Sequence, residues 1–394
     1  MIERFTLALA ALLLPATAAA LTIGVLQRAD DARLEPKRVA LAYLGQPGGP
    51  PADGLRVALE ESKFQLDAAG IAPRLEVVAV NGADEARAAA ERLARAGAVA
   101  LVADLPAPWL LAAASAASGA SAGAGAPLAV FNTGEPLDAL RQQDCRAHLL
   151  HTLPSERMRS DALAQWLLAR RWNKVLLLRG PLPDDAARAA SVKAALARFK
   201  LQLVAERPFK LSADPRERAL ANPLLLTGQA EYDVVWVVDS DGEFARSLPY
   251  RTALARPVVG DGGLAALAWA PNFERFGAPQ LARRFQRAHA RSMTAHDWAA
   301  WMAGKAIVQA ALARGPKAGA AALQSALAAA DFELDGFKGT TLSFRPWDRQ
   351  LRQPMLLADG LGVIGLAPLE GVLHPKNNLD TLGADAPEKL CALR

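Results

Sequence analysis

The sequence has few of the residues that hold metals or carry redox chemistry. Its 394 residues include two cysteines, Cys145 and Cys391, and five histidines. No Cys-x-x-Cys pair and no Cys/His cluster is present, which excludes a structural zinc site of the usual spacing. No His-Glu-x-x-His pair and no Walker-type phosphate loop occurs. We therefore expect a protein that is not an enzyme and that has no resident cofactor.

Long apolar runs are also scarce, and the one candidate lies at the start of the chain. Arg4 supplies a positive charge, residues 5–14 form a short apolar stretch, and Ala18-Ala19-Ala20 has the small side chains of a cleavage site. The stretch is about half the ~20 residues that a membrane span requires. Residues 1–20 are therefore predicted to be an export signal peptide, and a buried N-terminal helix is the alternative.

The predicted export signal bears on whether the two cysteines are oxidised. In an oxidising compartment, two cysteines far apart in sequence are most simply a disulfide. Such a bridge between Cys145 and Cys391 would tie the C-terminal tail to the middle of the chain. Two unrelated buried thiols are the alternative.

No concentrated stretch of positive charge accompanies the mildly basic composition. The formal net charge is +5, from 45 basic and 40 acidic residues, and the two signs are interspersed along the chain. Nucleic-acid binding requires a basic stripe with interleaved aromatic residues, so no nucleic-acid partner is expected. With 52% apolar and 22% charged residues the chain is typical of a folded protein, and its length suits two domains.

Short apolar runs alternate with helical patterns in two series. The predicted strands are 22–26, 74–80, 98–103, 127–132, 174–178, 202–207, 233–239 and 257–260. The predicted helices between them are 54–69, 84–96, 155–170 and 185–200. This alternation predicts an α/β fold with two doubly wound, Rossmann-like lobes. After Gly260 the pattern changes to helices at 279–293, 297–313 and 318–330, followed by strands at 339–344 and 353–357.

Acidic residues follow several of the predicted strands. Ligands of open parallel sheets bind at the carboxyl ends of the strands, which selects a set of candidate ligand contacts. These are Asp30, Asp104, Asn132, Thr133, Asp239, Asp241 and Asp261. Carboxylates that converge on one cleft require a cation or an amine-bearing ligand. Asp239, Asp241 and Glu243 resemble the start of a calcium loop without its later ligands, and Asp and Gly are also common turn and cap residues.

The order of features over nearly the whole chain carries a family resemblance. A strand at 21–26 precedes a glycine-led helix at Gly54, and a crossover follows at 148–154. A late helix at 297–305 and a glycine turn with an aromatic-ended strand at 335–344 complete the order. The chain thereby resembles the type I periplasmic substrate-binding proteins of ABC importers, which include branched-chain amino-acid receptors. Segments 31–33, 151–155, 351–354 and 379–383 resemble the subgroup associated with pyrroloquinoline quinone-dependent alcohol oxidation.

This resemblance implies a monomeric periplasmic receptor that closes over a ligand and delivers it to ABC permease subunits in the membrane. Lobe 1 is expected at 21–149 plus 262–331, and lobe 2 at 150–261 plus 332–394. The hinge strands are expected near 148–152, 260–263 and 332–336. The alternative function is a periplasmic sensory or accessory protein that binds a protein partner.

The chain departs from the amino-acid receptors at the expected ligand loops. Where those receptors hold a carboxylate with hydroxyl groups, this chain has Asp104-Leu-Pro106, and Thr133 is the one hydroxyl left after the fourth strand. An amino acid is therefore disfavoured. A cation such as a lanthanide or a small organic solute is the expected ligand. Trp109 and Trp301 are candidate cleft walls, with a place in the core as the alternative.

Overall fold

A computed structural model describes residues 18–119, 127–228 and 230–393. The predicted signal peptide lies outside the described residues except for Ala18–Ala20, and the first strand begins at Ala19. Among the described helices, none is both long enough and apolar enough to cross a membrane.

The first lobe is built on a five-stranded parallel sheet with the spatial order β2-β1-β3-β4-β5. Its strands are β1 (Ala19–Arg28), β2 (Ile71–Val80), β3 (Ala100–Asp104), β4 (Ala129–Asn132) and β5 (Leu149–His151). Strands β3 and β4 are buried along their whole length. Helices cover both faces of such a sheet, which is why these strands read as continuous apolar runs in the sequence.

Helices from two separate parts of the chain cover the first sheet. They are α2 (Pro51–Glu61), α3 (Lys63–Ala68), α4 (Ala83–Arg95), α5 (Ala107–Gly119), α10 (Ala278–His289), α11 (Ala295–Arg314) and α12 (Ala320–Leu327). The short helix α1 (Pro36–Leu41), between β1 and α2, buries none of its residues. The helix predicted at 54–69 is interrupted at Ser62, so it forms α2 and α3. Gly54 lets α2 approach α11 closely, since a Cβ there would lie 2.3 Å from the carbonyl oxygen of Asp297.

The second lobe repeats the architecture with a four-stranded parallel sheet in the order β7-β6-β8-β9. The strands are β6 (Lys174–Arg179), β7 (Gln202–Pro208), β8 (Val234–Val238) and β9 (Val258–Gly260). The helices are α6 (Glu156–Ala169), α7 (Pro183–Arg198), α8 (Arg218–Ala221) and α9 (Pro223–Thr227). The two sheets confirm the predicted α/β class with two doubly wound lobes.

A small antiparallel sheet joins the lobes. It consists of β10 (Ala265–Leu267), β14 (Met355–Ala358) and β15 (Val363–Ala367), in the order β10-β14-β15. Side chains alternate across a strand, and here the two faces belong to different cores. Leu356 and Ala358 of β14 pack into the core of the first lobe, whereas Met355 and Leu357 pack into that of the second.

The segment before β14 lies in a different lobe from the one expected. Three short strands, β11 (Leu334–Asp335), β12 (Thr341–Phe344) and β13 (Leu351–Arg352), form an antiparallel sheet. The apolar side chains of residues 332–344 pack into the first core, although this stretch was assigned to lobe 2 with a hinge at 332–336. The reason is burial against α11: a Cβ on Gly336 would lie 2.8 Å from the Trp298 ring. The chain therefore leaves the core of the first lobe later than expected, at β14, whose residues pack into both cores.

The C-terminal tail is fastened to the body of the protein by covalent and ionic contacts. Cys145 and Cys391 form a disulfide with a Cα–Cα distance of 5.9 Å, which confirms the predicted pairing. Arg345 is fully buried and donates hydrogen bonds to Asp380 and to three carbonyl oxygens of the tail. The tail is therefore an integral part of the fold.

Candidate functional site

A cavity of about 470 Å³ lies between the two lobes and is the candidate ligand site. It is bordered by the carboxyl ends of β1, β3 and β4 in the first lobe, by α6, α7 and the loops after β8 and β9 in the second, and by β10 of the joining sheet. Its apolar walls are formed by Leu44, Pro106, Pro108, Pro136, Leu137, Leu153, Pro154 and Leu267. This volume suits a small molecule.

Four arginines line the cavity, and three of them are ion-paired within the protein. Arg33 contacts Asp31 at 2.6 Å and Asp104 at 2.9 Å. Arg188 contacts Asp261 at 2.6 Å and Glu156 at 3.1 Å. Arg159 contacts the same two carboxylates, Glu156 at 2.8 Å and Asp261 at 3.3 Å. These guanidinium groups are already neutralised by the fold.

The paired carboxylates keep their charge despite burial. Burial by itself raises the pKa of Asp104, but the positive charges around it, those of Arg33 and Arg28 among them, together with the hydrogen bond from Arg33 hold the pKa below its ordinary value. Burial acts in the same way on Asp261, and Arg188 and Arg159 lower its pKa again. Asp104 and Asp261 are therefore ionised and balanced, so their negative charge is not available to a ligand.

Arg28 is the exception among the cavity arginines. It ends β1 and lines the cavity, and its side chain makes no hydrogen bond or ion pair with any of the described residues. Its Nε is fully buried without a partner. Burial and the nearby Arg33 charge lower the pKa of Arg28, although the charges of Asp104, Asp31 and Glu135 oppose the shift. A partly buried guanidinium without a directly bonded partner is an open position for an anionic group.

His296, at the start of α11, lines the cavity near Arg28 and Arg33. Its Nδ1 is buried and has no hydrogen-bond partner among the described residues. Burial lowers its pKa to about 4, so the ring is neutral at neutral pH. A neutral imidazole can donate to or accept from a ligand without adding charge.

Two further acids of the cavity, Glu135 and Asp138, accept hydrogen bonds within the protein, and a third, Asp184, is exposed. Glu135 accepts hydrogen bonds at 3.1 Å from the N–H groups of Ala107 and Leu137. Asp138 accepts from the N–H of Arg157 at 2.9 Å and from the Ser191 hydroxyl at 3.0 Å. Burial raises the pKa of both carboxyl groups. They shape the loop after β4, while Arg28 is left without a partner.

The predicted contacts of the first lobe hold the cavity loops in place. The side chain of Asn132 bonds the backbone of Glu135 and the His151 ring, and the Thr133 hydroxyl donates to the carbonyl of Ala103. Neither borders the cavity, nor does Asp104, whereas Asp261 does. Asp30 is exposed and also lies outside the cavity. Direct contact of these four first-lobe residues with a ligand stays a prediction.

The carboxylates of Asp239 and Asp241 accept hydrogen bonds within their own loop, and a metal site formed by Asp239, Asp241 and Glu243 stays a prediction. Asp239 accepts a hydrogen bond from the N–H of Ala245, and Asp241 accepts one from the N–H of Glu243. The Glu243 side chain belongs to an exposed residue. Over residues 18–119, 127–228 and 230–393, no group of three or more metal-ligating side chains is arranged to hold an ion. Asp239 and Asp241 act as turn and cap acceptors, which is the alternative interpretation of this run of residues.

Trp109 and Trp301 are core residues and not cleft walls. Trp301 is fully buried, donates from Nε1 to Glu61 and stacks on Phe337. Trp109 packs against the helical core that covers the first sheet. Neither borders the cavity, so the alternative reading applies to both.

The mouth of the cavity is bridged by the segment that follows β1. Arg38 donates to the carbonyl oxygen of Asp241 at 2.8 Å, and Gln46 donates to that of Ser240 at 2.8 Å. Tyr43 lies against Gly242. These contacts join the first lobe to the loop after β8 across the cleft. We name residues 36–46 the bridging segment.

The Asp239 carboxyl group makes stability depend on pH. Burial, together with the charges of Asp241 and Asp261, raises its pKa to about 7, although the N–H of Ala245 opposes the shift. An unfolded Asp ionises near pH 4, so from about pH 4 to 7 the unfolded chain has released a proton that the folded protein keeps. The free energy of unfolding should therefore fall as pH rises through this window.

Asp239→Asn should flatten that decline, measured by urea denaturation at several pH values. Glu243→Gln changes an exposed neighbouring acid of the same loop and is the control. Equal pH slopes in the two variants would show that Asp239 does not hold its proton.

Arg28 could not be selected as a ligand contact by its residue type. Arg28 follows the predicted strand 22–26 and precedes Asp30, which was chosen as a ligand contact because it is acidic. In the structure Arg28 is the last residue of β1. Its distinguishing property is the lack of a partner, and that depends on where Asp31 and Asp104 direct their carboxylates. The nearest signal in the sequence was its position at the carboxyl end of a predicted parallel strand.

No protein-family model matches the chain, and no match was found among curated proteins. Solved structures do match it. An ABC transporter substrate-binding protein from Sphaerobacter thermophilus is 16% identical over 89% of this chain and 98% of that chain, with a TM-score of 0.70. A periplasmic binding protein from Burkholderia mallei is 13% identical over 95% and 99%, with a TM-score of 0.68. An ABC transporter solute-binding protein from Rhodopseudomonas palustris, in complex with 3,4-dihydroxybenzoic acid, is 14% identical over 86% and 93%, with a TM-score of 0.64. The chain therefore shares the two-lobed fold of the type I periplasmic binding proteins.

Proposed function

We propose that this chain is the periplasmic solute-binding component of an ABC importer and that its ligand is a small carboxylate held between the lobes. The fold supports the first part, because the similar structures are binding proteins of transporters. The observation that carries the second part is Arg28, a cavity guanidinium without a partner in a site whose other arginines are all ion-paired.

The chemistry of the cavity favours a carboxylate over a cation. A guanidinium offers a planar fork of N–H donors that matches a carboxylate with two parallel hydrogen bonds. The neutral His296 ring stands beside it, and proline and leucine side chains form the walls. A cation at the same place would meet an unpaired positive charge. A small organic acid with an apolar body fits these features.

Hinge closure supplies the mechanism. The hydrogen bonds from Arg38 and Gln46 to the second lobe form only when the lobes are close together. A ligand that contacts both lobes adds binding energy only to that closed form, so it shifts the population toward closure. The permease subunits of the importer would then recognise the closed receptor.

Two finer predictions from the sequence remain. The association with quinone-dependent alcohol oxidation rests on segments 31–33, 151–155, 351–354 and 379–383. The prediction of a cation ligand rests on the acidic residues that follow the strands. The carboxylates of Asp104, Asp239 and Asp261 are ion-paired or hydrogen-bonded in the fold. The accessory role, in which a protein partner replaces the small ligand, is the alternative function.

Calorimetry on the purified protein tests the proposal. The panel consists of benzoate, 3,4-dihydroxybenzoate, leucine, calcium and lanthanum, with benzamide as the neutral match for benzoate. We expect a carboxylate to bind, and we expect benzamide to bind about 100-fold more weakly than benzoate because it lacks the charge that pairs with Arg28.

Three results would contradict a carboxylate receptor. Equal binding of benzoate and benzamide would remove the role of charge. Binding of lanthanum alone, lost in the Asp239→Ala, Asp241→Ala double variant, would restore the cation prediction. Binding of none of the panel together with capture of a permease or dehydrogenase would favour the accessory role.

A further inference from the structure

A second cavity of about 360 Å³ lies next to the first, behind the bridging segment. Most of its lining is apolar and includes Val39, Tyr43, Leu267, Trp269 and Met293. Trp269 and Met293 are almost completely buried. Three arginines also border this cavity, but Arg33 and Arg291 are ion-paired and Arg38 donates to the carbonyl oxygen of Asp241. The two cavities therefore differ in character, because the first alone has an arginine without a partner among the described residues.

The wall between the cavities is thin. Six residues border both of them: Arg33, Leu44, Gly45, Gln46, Leu267 and Ala295. Three of these, Leu44 to Gln46, form the end of the bridging segment. Gln46 is held across the cleft by one side-chain hydrogen bond to the carbonyl of Ser240, and its backbone N–H donates to the carbonyl of Tyr43. Moving Leu44–Gln46 therefore breaks these two hydrogen bonds and leaves that of Arg38 to Asp241 in place. A modest displacement of this stretch would join the two spaces.

The Trp269 side chain is an independent indication that the second cavity binds a ligand. Its indole N–H is buried and has no partner among the described residues, and the side chain is 1% exposed. Buried indole N–H groups in proteins usually find an acceptor. A guest with an acceptor atom in the second cavity would satisfy this donor.

We propose that the two cavities form one bipartite site for an amphipathic carboxylate. The carboxylate pairs with Arg28 in the first cavity. The largely apolar remainder of the same molecule displaces Leu44–Gln46, fills the second cavity and places an acceptor atom at the Trp269 indole N–H. This inference rests on the proposed function and narrows its ligand class to acids with a long or bulky apolar portion. A short acid would occupy the first cavity alone.

Straight-chain acids from propanoate to decanoate measure the apolar contribution. Affinity should rise about fourfold for each methylene that enters the second cavity, equivalent to about 0.8 kcal/mol per buried CH₂. The tryptophan emission should change with the longer acids only, and this change should be absent in Trp269→Phe because Trp269 borders the second cavity.

Val39→Trp tests whether the second cavity is the place of the chain. Val39 lies on α1 and borders that cavity, so an indole there fills it. Decanoate should bind at least tenfold more weakly, while propanoate affinity stays the same. Ala40→Trp is the matched control, because Ala40 is the next residue of the same helix and is exposed.

The outcomes separate the two proposals. If affinity depends on Arg28 but is the same for propanoate and decanoate, the bipartite site is wrong and the carboxylate receptor stands. Equal loss of propanoate and decanoate binding in Val39→Trp would likewise overturn the bipartite site. If no acid binds at any length, the proposed function itself fails.

Discussion

Replacing Arg28 with alanine should lower carboxylate affinity about 100-fold and leave the protein at least as stable as the wild type. Removing one partner of a desolvated ion pair costs about 2–5 kcal/mol of binding free energy, and each 1.36 kcal/mol corresponds to a factor of ten. Stability should not fall, because the guanidinium has no partner to lose in the ligand-free fold. Calorimetry and urea denaturation measure the two quantities on the same samples.

Three further substitutions separate loss of ligand binding from loss of stability. Arg28→Lys keeps the charge but loses the two-pronged geometry, so its affinity should fall between those of wild type and alanine. Arg33→Ala should instead destabilise the fold by about 3–5 kcal/mol, because it leaves Asp104 buried without its counter-ion. Arg87→Ala, at an exposed position on α4, should change neither property.

An Arg28→Ala variant that binds carboxylates normally would remove the basis of the proposed ligand class. A variant that binds poorly only because it has unfolded would be recognised from its denaturation curve.

Loss of the disulfide should lower the stability of the fold by as much as Arg33→Ala does. The bridge joins cysteines 246 residues apart, so it restricts most of the unfolded chain. Removing a native disulfide typically costs about 2–5 kcal/mol, and the chain-entropy estimate grows with loop length. Cys145→Ser combined with Cys391→Ser should therefore lower the free energy of unfolding by about 3–5 kcal/mol. Ligand affinity should be retained, since neither cysteine borders the cavity.

Reduction of the wild-type protein is the control for the substitutions themselves. Wild type treated with dithiothreitol should lose as much stability as the double variant, and the reductant should have no effect on that variant. The unreduced, denatured wild type should contain no titratable thiol. Two free thiols in that assay would show that the cysteines are unpaired in the purified protein.

The fold could be predicted from the sequence because buried parallel strands have a strong local signature. Val234–Val238 is five apolar residues in a row, and the structure buries every one of them. The lobe that residues 332–344 join could not be predicted from the local sequence, because it depends on contacts with α11, a helix distant in sequence. Local pattern thus predicts elements well, but it does not determine which of two similar lobes an element joins.

The candidate site was harder to predict because its electrostatics depend on pairing. Asp104 and Asp261 were recognised as cleft acids from their positions after strands. Their counter-ions, Arg33 and Arg188, lie 71 and 73 residues away in sequence, so no local pattern joins them. Once these pairs form, Arg28 is the cavity arginine left without a partner among the described residues, and the cleft no longer has the acidic character that the sequence suggests.

The shared strand β14 also determines when the protein can finish folding. Its residues complete both cores, with Leu356 in one and Leu357 in the other. Neither lobe can therefore complete its core until β14 has joined the shared sheet. The two lobes are coupled in folding, so a substitution in this one strand should destabilise both at once.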